Sequence, residues 1–259
     1  MQFNNRTAIV TGSASGLGLG MASYLAEEGV RVCLADVDGV RLEKVLPTIP
    51  VVAQGPHLGV TADLSTRAGA ELMAERAVAE FGKVDILVNN AGGGVIRPTL
   101  EHTEETLRQT IDRNLWTMTY CTLAMLPHLL GNGYGRVVSI GAESVRNGLW
   151  QHAFYSAAKG GVHGFNSGLA REFAETGVTF NVVSPAMVLT PQYHELVGTL
   201  APDARARQDA FVEQIRGSIP MARGGTVREV AAAVAFLASD DASYVTGQVV
   251  SVNGGSSML

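Results

Sequence analysis

The sequence predicts a single α/β domain in which a doubly wound parallel sheet is covered by helices on both faces. Short β-branched or apolar runs alternate along the chain with longer segments of helical periodicity. Several of the short runs are continuously apolar, as expected for strands buried on both faces of a sheet. Strict alternation of this kind implies right-handed β-α-β units, and 259 residues suffice for one sizeable core. We therefore expect residues 1–259 to form one open doubly wound domain.

Composition and periodicity place the individual elements. The predicted strands are Thr7–Val10, Val30–Ala35, Val84–Val88, Arg136–Ile140, Val178–Val183 and Gln248–Val252. The predicted helices are Leu17–Glu28, Arg67–Phe81, Glu104–Leu130, Tyr155–Glu175 and Val227–Ala238. Glycines fall where helix C-caps are expected, at Gly29, Gly82 and Gly177. The least regular stretch, Ala186–Gly217, contains Pro191 and Pro202 and is predicted to form a lid or binding loop.

The composition argues against several classes of protein. The net charge is −5, whereas a general nucleic-acid surface needs clustered Lys and Arg. No apolar run reaches the roughly 18 residues of a membrane-spanning helix. Met1–Arg6 leads into a short apolar run without a cleavage-site pattern, so we expect a first strand and a cytoplasmic protein. Cys33 and Cys121 offer neither a disulfide framework nor metal-ligand spacing, and both are expected in the core.

A glycine-rich turn follows the first predicted strand and opens the first predicted helix. Glycine allows a tight turn and a close approach of the backbone to a pyrophosphate, while a helix N-terminus presents free N–H groups and a positive dipole end. This position between strand and helix predicts a dinucleotide site. Its expected binding residues are Gly12, Ser15, Gly16, Leu17 and Gly18.

The second predicted strand is followed by a carboxylate, Asp36. A carboxylate there accepts hydrogen bonds from both ribose hydroxyls of NAD and repels the 2′-phosphate of NADP. No Lys or Arg is present at Ser13–Ser15 or at Val37, the position after Asp36. Asp residues also cap helices, a role that Asp38 can fill as well as Asp36 can. We favour NAD as the cofactor, with Asp36 and Val37 among its binding residues.

Tyr155 and Lys159 lie four residues apart in a predicted helix, so the phenol and the ammonium share one helical face. A nearby ammonium favours the phenolate and lowers the pKa of a tyrosine from its free value of about 10. Such a phenol can exchange a proton with an alcohol near neutral pH. An exposed helical pair is the ordinary interpretation of this spacing. Together with the glycine-rich turn, however, the pair predicts hydride transfer between a nicotinamide and a carbonyl or alcohol.

These residues resemble the short-chain dehydrogenase/reductase family in its compact single-domain form, over essentially the whole chain. The matching motifs are Thr11-Gly12-x-x-x-Gly16-x-Gly18, Asp63-Leu64, Asn89-Asn90-Ala91-Gly92, Asn114, Tyr155-x-x-x-Lys159 and Pro185 to Thr190. Six motifs in the expected order and spacing are highly specific. The resemblance implies a Rossmann fold and a nicotinamide cofactor.

The resemblance also implies cofactor contacts. Asp63 and Leu64 would line the adenine, and Asn90, Ala91 and Gly92 would pass beneath the cofactor ribose. In the segment that begins at Pro185, Val188 and Thr190 would touch the nicotinamide carboxamide. Relatives usually have Pro-Gly where this chain has Pro185-Ala186, and Ala disfavours a positive φ, so a slightly shifted loop is expected.

Catalytic roles follow from the same resemblance. Tyr155 would be the general base in oxidation and the general acid in reduction, and Lys159 would also bond the nicotinamide ribose. Asn114 would bend its helix and hold a water that relays protons to Lys159.

The catalytic serine of the family is displaced in this chain. It normally lies thirteen residues before the tyrosine, where this chain has Ala142. Ser144, eleven residues before Tyr155, is the expected replacement, because some relatives with a shortened loop use about that spacing. Alternatively, Ser144 is an ordinary turn residue, and Glu143 or a water bonds the substrate oxygen. Ser139 is expected inside the strand.

The predicted reaction is the reversible oxidation of a secondary alcohol to a ketone on a small-molecule substrate. Apolar residues near the expected pocket favour a cyclic or aryl alcohol or a dihydrodiol: Trp150, Phe154, Met187, Leu189 and Tyr193. His152 is a further candidate contact, although a surface position is the commoner outcome for a His. A 3-oxoacyl thioester is the alternative substrate. Ala142 keeps open an NAD-binding protein with weak or no catalysis, and Asp36 opposes an NADP-dependent reductase.

A homotetramer is expected from the family resemblance and from two helices. Glu104–Leu130 and Tyr155–Glu175 are apolar over more than one face, and such helices usually bury a second face. The C-terminal segment Val252–Leu259 ends apolar and is expected at a second interface.

Overall fold

The computed structural model describes Phe3 and residues 5–258, except the side chains of Gln192, His194 and Leu196. Its strands are β1 (Thr7–Thr11), β2 (Arg31–Asp36), β3 (Leu58–Thr61), β4 (Ile86–Asn89), β5 (Gly135–Ile140), β6 (Val178–Pro185) and β7 (Val249–Val252). They form one parallel sheet in the order β3-β2-β1-β4-β5-β6-β7. The predicted doubly wound α/β fold is confirmed.

Helices pack on both faces of this sheet. In the part of the chain that the structure describes, they are α1 (Gly16–Glu27), α2 (Gly39–Val45), α3 (Arg67–Phe81), α4 (Glu104–Ile111), α5 (Thr117–Gly131), α6 (Ser144–Asn147), α7 (Ala153–Glu172), α8 (Pro191–Gly198), α9 (Pro202–Gly217) and α10 (Val227–Ala238). Consecutive strand residues face opposite layers, so Val10 shares a hydrophobic cluster with Met21 of α1, whereas Ile9 shares one with Met73 of α3. Burial on both faces explains why β1, β4 and β5 consist almost entirely of buried residues.

The order of the strands fixes where a ligand can bind. From β1 the chain winds outward to β2 and β3, then returns to β4 on the other side of β1. At such a switch point the connections after the two central strands diverge and leave a crevice at their carboxyl ends. The glycine-rich turn after β1 and the segment Asn90–Gly92 after β4 flank this crevice.

Three short elements, β3, α2 and the four-residue α6, were not predicted from the sequence. β3 has four residues, including Gly59, and is too short to show a period. α2 has seven residues and begins at Gly39, with Asp38 as its N-cap: the Asp38 side chain accepts a hydrogen bond from the Arg41 N–H at 2.9 Å.

The long helix predicted at Glu104–Leu130 is interrupted. A π-helical turn, Asp112–Trp116, separates α4 from α5, and such turns are frequent at functional sites. The helix predicted at Tyr155–Glu175 is shifted, because α7 runs from Ala153 to Glu172. Gly177 therefore lies beyond the helix C-cap, in the turn before β6, and its φ of 78° serves that turn.

The stretch predicted to be irregular, Ala186–Gly217, instead contains two helices. Pro191 begins α8 and Pro202 begins α9, because proline is well suited to the first turn of a helix, where its missing N–H has no helical partner. α9 has no buried residue and therefore lacks a strong apolar stripe, so its sequence shows little helical period.

The remaining sequence expectations concern thiols and membranes. Cys33 and Cys121 are free and buried, as predicted. Among the helices of the described part of the chain, none has the length and apolar character that crossing a bilayer requires.

Candidate active site

The glycine-rich turn is shaped by positions that only glycine fits. Gly12 and Gly16 have φ values of 63° and 57°, in the left-handed region. A Cβ at Gly18 would lie 2.1 Å from the Gly12 carbonyl oxygen. The Asn90 side chain ties the turn to β4, because its amide donates to the carbonyl oxygens of Thr11 and Gly12 at 2.9 and 3.0 Å. The N-terminus of α1 is thereby held open towards the crevice.

Asp36 ends β2 beside this turn. Its carboxylate accepts hydrogen bonds from the backbone N–H groups of Ala14 and Asp38, at 2.9 and 3.0 Å. Since Asp38 is the cap of α2, Asp36 does not serve that role and instead lines the crevice. Val37, next to it, is 70% exposed.

A cavity of about 750 Å³, here called the large cavity, fills the crevice. This volume lies within the range of small-molecule and cofactor sites, roughly 300–1,000 Å³. It brings together most of the residues predicted to bind the cofactor: Gly12, Ser15, Gly16, Leu17, Asp36, Val37, Asp63, Leu64, Asn90, Ala91, Gly92, Tyr155, Lys159 and Thr190. Gly18 does not line this cavity, whereas Arg113 and Thr117 do and were not predicted from the sequence. A helix N-terminus for a pyrophosphate and a carboxylate for ribose hydroxyls fit a dinucleotide.

Tyr155 and Lys159 both line the large cavity, but their electrostatics differ from the expectation. Burial raises the pKa of Tyr155 to about 12 and lowers the pKa of Lys159 to about 8. The expected lowering of the tyrosine pKa by the ammonium is therefore absent in this state. The physical reason is that the Lys159 Nζ donates to the Ile140 carbonyl oxygen at 2.7 Å and lies 5.9 Å from the centre of the Tyr155 ring.

Asn114 lies in the π-helical turn and is buried beneath the large cavity. Its side-chain amide donates to the carbonyl oxygens of Gly93 and Thr110, at 2.8 and 2.7 Å. Its own oxygen accepts from the Gly93 N–H at 3.3 Å. These bonds fasten the turn in the helix to the segment after β4.

A second, smaller cavity of about 330 Å³, here called the small cavity, adjoins the first. Leu17, Ile140 and Tyr155 line both cavities, so the Tyr155 phenol stands at their junction. Three further predicted site residues, Ser144, Pro185 and Val188, line the small cavity. Its lining also includes Asn147 and Leu149, from a segment that the family resemblance places at the pocket, and four residues that the sequence did not single out as contacts: Ile215, Ser218, Ile219 and Ser256.

Ser144, the expected replacement for the missing serine, borders the same cavity as Tyr155. It begins α6 and lines the small cavity, and its hydroxyl oxygen is buried without a hydrogen-bond partner among the described residues. Ala142 lines the same cavity with a methyl group only. Ser139 lies inside β5, as predicted, and its hydroxyl donates to the Asn166 side-chain oxygen at 3.2 Å.

The carboxylate of Glu143, the alternative to Ser144, is already hydrogen-bonded to other side chains. Its carboxylate accepts hydrogen bonds from Ser251 at 2.7 Å, from Asn253 at 2.9 Å and from the Ser257 hydroxyl. Although burial opposes ionisation, these bonds hold its pKa below the ordinary value. Glu143 thus anchors the segment after β7 as an anion, instead of donating a proton to a substrate oxygen.

The other expected pocket residues are placed differently from one another. Leu189 and Tyr193 line neither the large nor the small cavity. Met187 and His152 line the small cavity. Trp150 does not, because its side chain is 71% exposed, and Phe154 packs edge-on against His102, with ring centres 4.8 Å apart. Ala186 does not adopt a positive φ, so its methyl group introduces no strain there.

Comparison with known proteins identifies the family of this chain. The sequence profile of the family described as enoyl-(acyl carrier protein) reductase matches residues 12–257. The chain belongs to the short-chain dehydrogenase/reductase family. A member of this family with this set of residues is an oxidoreductase that acts on CH–OH groups with a nicotinamide cofactor.

Individual relatives are similar over their whole length. A 2,3-dihydroxy-2,3-dihydro-p-cumate dehydrogenase of Pseudomonas putida is 46% identical, over all of this chain and 97% of the relative. A 1,6-dihydroxycyclohexa-2,4-diene-1-carboxylate dehydrogenase of Acinetobacter baylyi is 35% identical, over 98% of this chain and 97% of the relative. The crystal structure of levodione reductase, 31% identical, superposes with a TM-score of 0.89 over 98% of each chain.

Proposed function

We propose that this short-chain dehydrogenase/reductase is an NAD-dependent dehydrogenase that oxidises one secondary alcohol of a cyclic vicinal diol. The observation that carries the proposal is the placement of Tyr155 at the junction of the large and small cavities. A proton acceptor at this junction can reach a hydroxyl in the small cavity while a cofactor fills the large one. The 46% identity to a dehydrogenase of a ring diol supports the substrate class.

The reaction assigns a task to each side chain at the junction. Tyr155 takes the proton from the substrate hydroxyl, and in the reverse direction returns it to the ketone oxygen. Ser144 donates a hydrogen bond to the same oxygen and orients it. Lys159 is mostly protonated at neutral pH, since its pKa is about 8, and would bond the ribose of a bound nicotinamide cofactor. When bound, the nicotinamide supplies the acceptor for the hydride.

The Tyr155 pKa of about 12 suits the acid role directly, because the phenol is protonated at neutral pH. The base role requires the phenolate, which a closer Lys159 ammonium would stabilise. We propose that Asn114 supports this proton exchange through Gly93. The Asn114 side chain donates to the Gly93 carbonyl oxygen and accepts from the Gly93 N–H.

The small cavity suits a single ring. Its apolar lining is provided by Leu17, Ile140, Leu149, Met187, Ile215 and Ile219. A volume of about 330 Å³ is at the low end of small-molecule sites, which start at roughly 300 Å³. Ile215 belongs to α9, and we propose that α8 and α9 form the lid that closes this cavity over the substrate.

The function is tested by following NADH formation in the near ultraviolet with NAD⁺ and a panel of secondary alcohols. We expect the highest kcat/KM for ring diols such as cis-1,2-dihydroxycyclohexa-3,5-diene. A higher kcat/KM for a 3-oxoacyl thioester with reduced cofactor would replace the proposed substrate class. Binding of NAD without turnover of any compound in the panel would favour an NAD-binding protein that lacks catalysis.

Cofactor choice is predicted to depend on the charge of Asp36. The double variant Asp36→Ala/Val37→Arg should raise the kcat/KM ratio of NADP⁺ to NAD⁺ by roughly 10- to 100-fold. It removes hydrogen bonds to a charged group and supplies a cation for the 2′-phosphate. The matched control is Asp38→Ala, which removes the α2 cap and should cost about 1 kcal/mol of stability without changing the ratio. Equal kcat/KM for both cofactors in the unmodified protein would contradict the assignment.

A homotetramer is the predicted assembly. On the π-helical turn and α5, Trp116 stacks on Tyr120 with ring centres 5.5 Å apart and is 45% exposed, and Leu123 is 50% exposed. Light scattering at micromolar concentration should give about four times the chain mass of 27.2 kDa. Leu123→Glu should lower this mass, whereas Leu72→Glu, at a 43% exposed position of α3, should not. A monomeric unmodified protein would refute the prediction.

The cytoplasmic location expected from the sequence stays a prediction.

A further inference from the structure

The segment after β7 brings a second hydroxyl group to the small cavity. This segment, Asn253–Ser257, is here called the C-terminal turn, and its member Ser256 lines the small cavity. The Ser256 N–H donates to the Asn253 carbonyl oxygen at 3.2 Å, which closes the turn. The Ser256 hydroxyl oxygen is buried and, like that of Ser144, has no hydrogen-bond partner among the described residues.

One buried carboxylate fixes the positions of both serines. Glu143 precedes Ser144 in the chain, and it accepts hydrogen bonds from Asn253 and Ser257, on either side of Ser256. Ser251 donates to the same carboxylate at 2.7 Å, and the Arg146 guanidinium lies 3.9 Å from it. The start of α6 and the C-terminal turn are therefore held together at one wall of the small cavity.

Two further polar side chains that line the small cavity, those of Ser218 and His152, already have partners. Ser218 also lines the small cavity, but its hydroxyl donates to the Ile215 carbonyl oxygen at 2.6 Å. The His152 ring is bonded to the Trp150 carbonyl oxygen at 2.7 Å. Folded proteins rarely bury a hydroxyl without a partner, because the group loses its hydrogen bonds to water. Two such hydroxyls beside one cavity indicate a ligand with two oxygen atoms.

We propose that Ser256 is a specificity-determining residue that binds the second hydroxyl of a cyclic vicinal diol. Ser144 and Tyr155 hold the reacting hydroxyl, and Ser256 bonds its neighbour on the ring. This inference rests on the proposed function and names the group that distinguishes a diol from a simple ring alcohol. Ser256 takes no part in proton transfer, so its effect is confined to substrates that carry the second hydroxyl.

The test compares cis-1,2-dihydroxycyclohexa-3,5-diene with cyclohex-2-en-1-ol, a ring alcohol that has a single hydroxyl. Ser256→Ala should lower kcat/KM for the diol by roughly tenfold, the effect of one lost hydrogen bond. It should leave kcat/KM for the mono-alcohol within about twofold, because no contact to the reacting oxygen is removed. The matched control is Ser218→Ala, which removes a committed hydroxyl from the same cavity and should leave the ratio of the two substrates unchanged.

Stability and binding measurements separate the alternatives. Removing an unpartnered hydroxyl should not lower Tm. A lower Tm for Ser256→Ala would mean that the Ser256 hydroxyl makes a stabilising hydrogen bond within the protein, and this would overturn the proposal. Equal losses on both substrates would overturn it as well. If the unmodified protein oxidises neither compound, the proposed function fails, and the subsite is judged by titrating the diol into the NADH complex. A Kd about tenfold higher in Ser256→Ala would support the subsite, and an unchanged Kd would overturn it.

Discussion

Replacing Tyr155 with phenylalanine is expected to lower kcat by roughly 10³- to 10⁴-fold, the upper part of the range for a lost general acid or base. The phenol is the proton carrier at the junction of the large and small cavities, and phenylalanine keeps the ring but removes that carrier. NADH binding, followed by fluorescence, should change little, because the ring that lines the large cavity is retained. The loss should therefore be in kcat and in kcat/KM to the same degree.

The matched control for this variant is Tyr134→Phe. The Tyr134 hydroxyl donates to Asp240 at 2.8 Å, outside both cavities, so its removal should affect stability and leave kcat unchanged. Retention of more than a tenth of the normal kcat by Tyr155→Phe would mean that another group carries the proton.

Replacing Ser144 with alanine is expected to lower kcat by roughly 10²- to 10³-fold, the usual loss for one donor at a developing oxyanion. Its hydroxyl is buried at the small cavity without a partner, so no bond within the protein competes for it. NAD affinity should barely change, because Ser144 lines only the small cavity. The measurement is steady-state kinetics together with a cofactor titration.

Ser139→Ala is the control for this second prediction. Ser139 is buried in β5 and bonded to Asn166, so its replacement should lower stability more than kcat. Near-normal kcat in Ser144→Ala would mean that the site works without a serine. An ordered water would then be the leading candidate, since Glu143 is held by Ser251, Asn253 and Ser257.

The sheet could be predicted from the sequence because its strands are buried on both faces. β1, for example, consists entirely of buried residues, and Ala8–Val10 within it stands out as a continuous apolar run. The short β3 and the exposed α9 lack that signal, because few or none of their residues are buried. For α9 the prolines misled the prediction, since Pro202 starts a helix there.

The crevice that brings most of the predicted cofactor residues together could be predicted, because these residues follow fixed motifs at the ends of strands. The walls of the small cavity were not, because they depend on contacts between distant parts of the chain. Ser251 bonds Glu143 across 108 positions of sequence, and nothing in either segment indicates that contact. The Tyr155 pKa was mispredicted for a related reason, since helical spacing does not reveal that Lys159 bonds the Ile140 carbonyl oxygen.

The most direct test of the account uses a cyclic vicinal diol that carries deuterium at both carbinol carbons. The protein is incubated with this diol and NAD⁺, and the NADH formed is examined by mass spectrometry. Direct hydride transfer from the alcohol carbon predicts one deuterium in each NADH, and Tyr155→Phe should form this product roughly 10³- to 10⁴-fold more slowly. NADH without deuterium, or no NADH from any alcohol, would contradict the proposed dehydrogenase.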